Sequence, residues 1–248
     1  MLKTINGSNS LLKWSQNANH SNIFQDDGST ELDDTIKTLI ADFFNSLNDK
    51  MENSKIVKFS VLWEKESNTL VRNTINTIRR YCQLRCTSVG EEALKRVAYK
   101  VRGNVGEILG EQYFKSFSDE YDCDADRYEP VDPHKEYKLD AQTYSVLNEN
   151  IPIGIQIKNW DGPITDDVLI SASYEDAVAI RQMGDNYREY ILRPRQYVFS
   201  FTDLKTTLWI DEPRNSGIVR FIGPSEIDKH TKSMNIVLKK IINSLNAY

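Results

Sequence analysis

A chain of 248 residues that is 40% hydrophobic and 27% charged has the composition of a folded protein, which excludes collagen-like, disulfide-scaffold and wholly disordered classes. Its 31 basic and 36 acidic residues leave a net charge of -5, so any nucleic-acid recognition has to rest on a local basic patch. The 3 cysteines predict free thiols in a reducing compartment, and no apolar run approaches a membrane span or a signal-peptide core, which predicts a cytoplasmic protein with no membrane partner.

In chain order, residues 1–30 are rich in Asn and Ser, end in Asp26-Asp27-Gly28 and read as an irregular arm. From Thr30, Leu32, Ile36, Leu39, Ile40, Phe43, Phe44 and Leu47 recur at helical spacing and predict an amphipathic helix. Residues 55–63 fit either a strand or a helix start, and 70–84 read as a helix. Leu94, Val97, Ala98, Val101, Val105, Ile108, Leu109 and Tyr113 trace one apolar stripe and predict a long helix from Glu91. Gly103, Gly106 and Gly110 interrupt it, each at a cost of roughly 1 kcal/mol relative to Ala, which predicts a close backbone approach on that face.

Two strands follow, at 137–147 and 151–159, with Asn148-Glu149-Asn150 as their turn. A loop containing Asp161-Gly162-Pro163, a helix over 173–183, strands at 196–202, 207–210 and 217–222, and a closing helix over 225–245 complete the order. The expected fold class is α/β: a mixed core over residues 91–248, preceded by a mainly helical N-terminal extension over residues 1–90.

A turn centred on Glu149 sets Asp140 opposite Lys158 and Gln142 opposite Gln156. Because strand side chains alternate, Asp140, Gln156 and Lys158 then share one face, with Ile153, Ile155 and Ile157 on the other as core. A slip of one residue would separate the polar groups. A carboxylate beside carbonyl oxygens suits Mg²⁺ or Mn²⁺, and a neighbouring lysine suits the activation of a metal-bound water and developing phosphorane charge. On spacing alone, an ordinary surface hairpin with solvated polar residues fits these positions as well.

The stretch YKLDAQTYSVLNENIPIGIQIKNW, preceded by the glycine-studded helix with Glu107, resembles the active-site signature of the PD-(D/E)XK nuclease superfamily. Gln-x-Lys stands in place of acid-x-Lys, which is similar to the Mrr-like branch. The resemblance implies a restriction-endonuclease-like core: a helix, three strands, a helix and a strand, in a mixed sheet flanked by helices. It implies Asp140 as the principal metal ligand, Gln156 as the second position, the Ile157 carbonyl as a third ligand and Lys158 as the catalytic lysine. Glu107 is implied to reach the metal through water, with Glu111, one turn on, as the alternative.

The function so implied is a Mg²⁺-dependent nuclease, with Mn²⁺ as a substitute, hydrolysing phosphodiester bonds in DNA as an endonuclease of restriction, defence or repair type. RNA as substrate is left open, as is a homodimer, since cutters of both strands are often symmetric. The alternative is a catalytically inactive nucleic-acid-binding or regulatory module on the same fold.

Arg72, Arg79, Arg80, Arg85, Lys95, Arg96, Lys100 and Arg102 form the densest basic interval, opposed only by Glu91 and Glu92. Of these, Arg72, Arg79, Arg80, Lys100 and Arg102 are the candidate phosphate contacts. Solvated helix faces account for them equally well. Gln182, Arg188, Arg193 and Arg195 make a weaker second cluster, and His134 is a further phosphate candidate against the plainer reading of a loop histidine. Cys82 and Cys86, four apart on one helical face, admit a zinc site with Cys123 and His134, or small buried hydrophobes.

Overall fold

A computed structural model describes residues 29–53, 58–130, 140–148, 152–159, 195–202 and 218–247. The N-terminal arm, His134, the 161–163 loop, the 173–183 helix, Gln182, Arg188, Arg193 and the 207–210 strand lie outside the described residues. The chain divides into two compact units, residues 1–109 with 228–248 and residues 110–227. Among the described residues no helix is long and apolar enough to cross a membrane.

The first unit is helical. Helix α1 spans Ser29–Asn53 and buries Leu32, Ile36, Ile40, Phe43, Phe44 and Leu47, the stripe that its apolar spacing predicts. Helix α2 spans Phe59–Leu84, so of the ambiguous 55–63 segment the described residues from Phe59 onward are helical, and residues 55–57 lie outside the described residues. Its Trp63 meets Phe43 edge to face, with ring centroids 5.2 Å apart at 84°. Helix α3, Glu91–Ser116, follows the predicted stripe, with Leu94, Ala98, Val101, Val105 and Leu109 buried.

The predicted closing helix is broken into α4 (Pro224–Ile227), a 3₁₀ turn (Asp228–Ser233) and α5 (Met234–Asn246). The break has a physical reason, because side chains of the 3₁₀ turn serve the open end of α2. Asp228 Oδ1 accepts from the Ser60 N–H at 2.8 Å, its Oδ2 accepts from the Ser60 hydroxyl at 2.8 Å, and Thr231 Oγ1 accepts from the Phe59 N–H at 3.3 Å. First-turn amides that have no intrahelical partner are thereby satisfied by the far end of the chain. α5 then buries Met234, Val237, Leu238 and Ile241 and packs on α1.

Among the described residues the second unit holds a mixed sheet of five strands in the order β1 (Glu129–Pro130), β2 (Ala141–Tyr144), β3 (Pro152–Lys158), β4 (Arg195–Ser200) and β5 (Ile218–Ile222). β1, β2 and β3 pair antiparallel, while β3–β4 and β4–β5 are parallel. Pro130 is tolerated because β1 is an edge strand. A parallel pair needs a crossover connection, and residues 159–194 separate β3 from β4.

Behind the sheet lies an aromatic core. Tyr113 and Phe114 from the end of α3 meet Phe199 at 4.8 and 5.9 Å, and the buried hydroxyls of Tyr113 and Tyr121 share a 2.6 Å hydrogen bond. Of the glycines, Gly110 makes the predicted close approach. A Cβ there would stand 2.6 Å from Ile157 Cδ1, whereas a Cβ at Gly103 would meet nothing within 4 Å. The isoleucine face of β3 therefore packs on the end of α3.

Candidate functional site

The hairpin register differs from the expected one by two residues. Ala141 pairs with Ile155, Gln142 with Gly154 and Tyr144 with Pro152. Residues beyond Tyr144 are held elsewhere instead of continuing the ladder: Ser145 bridges to Cys123, its hydroxyl bonds the Asp122 carboxylate at 2.7 Å, and the Leu147 N–H bonds the same carboxylate at 3.0 Å. The connection is thus longer than a turn on residues 148–150. A two-residue shift leaves the period-2 alternation intact, so Gln142, Tyr144, Gly154, Gln156 and Lys158 still share the face opposite the isoleucines.

Asp140 sits just before β2 and is tied to the backbone on both sides of Gln156. Its N–H donates to the Ile155 carbonyl at 3.1 Å, and its Oδ2 accepts from the Ile157 N–H at 2.6 Å. The carboxylate thereby takes the place that a strand carbonyl would fill had the β2 ladder continued two residues further back. The carbonyl of a strand residue points to the same side as its N–H, so the Ile157 carbonyl addresses the edge that Asp140 occupies.

Asp140 keeps some solvent contact as a residue, yet burial of its carboxyl dominates and raises its pKa above 3.8. The Lys158 ammonium and the Ile157 N–H oppose that rise without cancelling it. Gln156 is 5% exposed, and Lys158, half-buried, ends the strand. The structure therefore gathers Asp140, Gln156, the Ile157 backbone and Lys158 at one end of β3.

Glu107 lies in the first unit, where its carboxylate acts on Lys100, two turns back on α3. Partial enclosure pulls the Lys100 pKa down and Glu107 holds it up in part. Glu111 accepts from Lys115 Nζ at 2.7 Å, which engages this alternative carboxylate in a helical ion pair.

Arg72, Arg79, Arg80 and Lys100 are exposed in the first unit. The two acids of the basic interval temper it: Glu91 binds Arg79 through two contacts of 2.6 and 2.7 Å, and Glu92 pairs with Arg96. Arg102 departs from the expectation, being 1% exposed. It donates to Asn68 Oδ1 at 2.6 Å and stands 3.7 Å from the Glu64 carboxylate, an internal cation of the helical unit and not a surface group. Of Arg195 in the second cluster, the backbone is described as the start of β4.

Cys82 is buried on α2, and Cys86 is exposed beyond the helix end in a left-handed conformation, φ 52°, so the two do not share a helical face. Among the described residues no group of three or more His, Cys, Asp or Glu side chains is gathered to hold a metal ion.

Sequence reasoning missed the contribution of β1. Glu129 pairs with Gln142, which places a carboxylate on the Gln156 face, and the Arg127 guanidinium lies 3.4 Å from the Tyr144 ring centroid. The available signal was the alternation Arg127, Tyr128, Glu129, Pro130, with Tyr128 buried against Phe114 on the other face. Comparison with protein families, with curated proteins and with solved structures finds no match to this chain.

Proposed function

We propose that this chain is a metal-dependent nuclease that hydrolyses phosphodiester bonds in DNA, an endonuclease of restriction, defence or repair type on a restriction-endonuclease-like core. The observation that carries this reading is the arrangement at the end of β3. A buried carboxylate, Asp140, is fixed on the Ile157 N–H with the Lys158 ammonium as its electrostatic neighbour and Gln156 between its two anchor points. The chain order supports it as well: α3, an antiparallel β1–β2–β3 meander and then a parallel β4 come in the order that the resemblance implies for those elements, the helix expected between β3 and β4 lying outside the described residues.

The donor set fits Mg²⁺ or Mn²⁺. Asp140, the Ile157 carbonyl and the Gln156 carboxamide are hard oxygen donors, and an enclosed carboxylate with a raised pKa has charge that a divalent cation would balance. A bound ion would polarise a phosphoryl oxygen and acidify a water. Within the chain itself, Asp140 and Gln156 hold and orient, while Lys158 sets a positive charge where negative charge develops on the phosphoryl oxygens.

The test incubates the protein with supercoiled plasmid, linear duplex, single-stranded DNA and RNA, each with Mg²⁺, Mn²⁺ or EDTA. Metal-dependent cutting of DNA is expected, and Lys158→Ala is expected to lower it at least about a hundredfold while leaving binding intact. A Lys158→Ala variant that cuts at the wild-type rate overturns the mechanism. One observation favours a second reading, a catalytically inactive nucleic-acid-binding or regulatory module: Gln156 stands where an acid would bring a second charge to the site. Binding of DNA with no cutting under any metal would select it.

A further inference from the structure

We infer that the solvent face of α2 is a docking ridge for the phosphate backbone of a nucleic-acid duplex, with Lys65, Arg72 and Arg80 as its contacts. The inference rests on the nucleic-acid reading above and deepens it by naming the form of the substrate and the surface of the first unit that holds it.

Three observations converge. The first is spacing. Lys58, Lys65, Arg72 and Arg79 recur at every seventh residue, from the N-cap of α2 toward its last turns. Seven residues fall about 20° short of two helical turns, so these cations form one nearly straight row with steps of about 10.5 Å. Arg80 stands beside the end of that row. All five are exposed, while Trp63, Leu70, Thr74 and Ile78 are buried on the opposite face.

The second is charge matching. Both acids of α2 are engaged away from the row. Glu66 is buried and accepts from Lys50 Nζ at 2.7 Å, and Glu64 accepts from Asn68 Nδ2 at 3.4 Å and stands 3.7 Å from the Arg102 guanidinium. Glu91 takes Arg79. Arg72 makes one long contact of 3.4 Å to Thr69 Oγ1, and among the described residues no carboxylate lies within ion-pair distance of Lys65, Arg72 or Arg80. Three cations therefore face solvent unmatched in a chain whose net charge is -5. Lys58 adds to their field from the N-cap, where the helix dipole disfavours a cation.

The third is shape. Asn73, Asn76 and Gln83 lie exposed among the cations, and their carboxamides can donate to phosphate and sugar oxygens. Lys65 and Arg80 are about 22 Å apart along a rigid helix, more than twice the Debye length in physiological salt, so the cations act as separate contacts. A duplex carries one negative charge per about 1.7 Å of axis and is stiff over about 50 nm, so it meets all three without being ordered first. A single strand would have to be straightened to reach them, at an entropic cost.

The test measures binding of fluorescent duplex and single-stranded oligonucleotides of equal length in EDTA across a salt series. It compares the full-length wild type with Lys65→Gln, Arg72→Gln, Arg80→Gln, their triple combination and Lys229→Gln. Gln keeps helix propensity at exposed positions, and Lys229 is an exposed lysine of the same unit on the 3₁₀ turn. Each ridge substitution should make the duplex log–log salt slope shallower by about 0.9 and weaken binding about tenfold at about 50 mM salt, and the triple variant should lose about 2.7 of slope. Lys229→Gln should leave the slope unchanged, and the wild type should hold the duplex more tightly than the single strand.

Wild-type duplex binding with an unchanged slope in the triple variant overturns the ridge and leaves the nuclease reading standing. Equal flattening by Lys229→Gln overturns it in favour of diffuse charge, and single-strand binding as tight as duplex binding overturns the duplex assignment. No binding by the wild type at low salt overturns the nucleic-acid reading and the ridge with it. Because the assay contains no divalent ion, its outcome is independent of whether the chain cuts.

Discussion

Replacing Asp140 with Asn makes the electrostatics of the site measurable. The substitution keeps a side-chain oxygen to accept from the Ile157 N–H, a bond of 2.6 Å, and deletes the buried charge. Burial raises the Asp140 pKa above its ordinary value of 3.8, with Lys158 and the Ile157 N–H opposing it incompletely. A carboxyl that binds its proton more tightly folded than unfolded favours the folded state at low pH. Its contribution is present below about 3.8, is lost as pH rises to the folded pKa, and stays lost above it. The charged carboxylate therefore destabilises the folded wild type at neutral pH, and removing the charge should raise its Tm there. Asp140→Asn should melt higher than wild type at pH 7, with the gap closing toward pH 4. Calorimetry across that range checks it, and Mn²⁺ should raise the Tm of the wild type but not of the variant. A variant equal to or below wild type at pH 7, or a gap that ignores pH, refutes the account of Asp140 as a net-destabilised charge. Equal stabilisation of both proteins by Mn²⁺ refutes its role as a ligand.

Two further substitutions test the packing that frames the site. Gly110→Ala gains about 1 kcal/mol of helix propensity but sets its Cβ 2.6 Å from Ile157 Cδ1 and 3.0 Å from Cγ1, an overpacking that costs typically 1–3 kcal/mol. The variant should be neutral to about 2 kcal/mol destabilised. Gly110→Ala with Ile157→Val, which lacks Cδ1, should be less destabilised than the single substitutions sum to in urea melts. Arg102→Ala empties a site with 1% exposure while its partners Asn68 and Glu64 keep contact with water, so a loss of about 2–4 kcal/mol is expected from the lost packing, with partial recovery in Arg102→Met. An unchanged midpoint for Arg102→Ala would return this arginine to the surface and to the list of phosphate contacts.

How far the sequence was legible depends on the range of the interactions that decide each feature. α1 and α3 follow from apolar spacing because a helix is fixed by neighbours three and four residues away, and most of each stripe is buried as that spacing requires, with Leu39, Val97 and Ile108 at its half-buried margins. The closing helix was misread at Asp228 because its break serves the amides of Phe59 and Ser60, partners that no local window contains. Arg102 was misread for a related reason. It belongs to a run of cations that looks solvated, and what turns it inward is Asn68 on another helix. The short β1, of two residues with a proline, falls below the length at which alternation is persuasive, and with it went Glu129 and the Arg127 stack on Tyr144.

The site shows which kind of error a strand prediction survives. The turn was placed on residues 148–150, whereas Asp122 captures Ser145 and Leu147 and draws the register back by two. Period-2 alternation makes an even shift harmless to the sorting of faces, so Gln156 and Lys158 remain opposite Ile155 and Ile157. The shift does change what Asp140 does. Under the expected register it would oppose Lys158 as one strand residue opposes another. In the structure it lies outside β2 and caps the Ile157 N–H with its carboxylate. That role explains how one side chain is both buried and held beside Lys158: the strand edge needs an acceptor there, and a carboxylate that fills the place brings its charge to the one end of β3 where a cation follows.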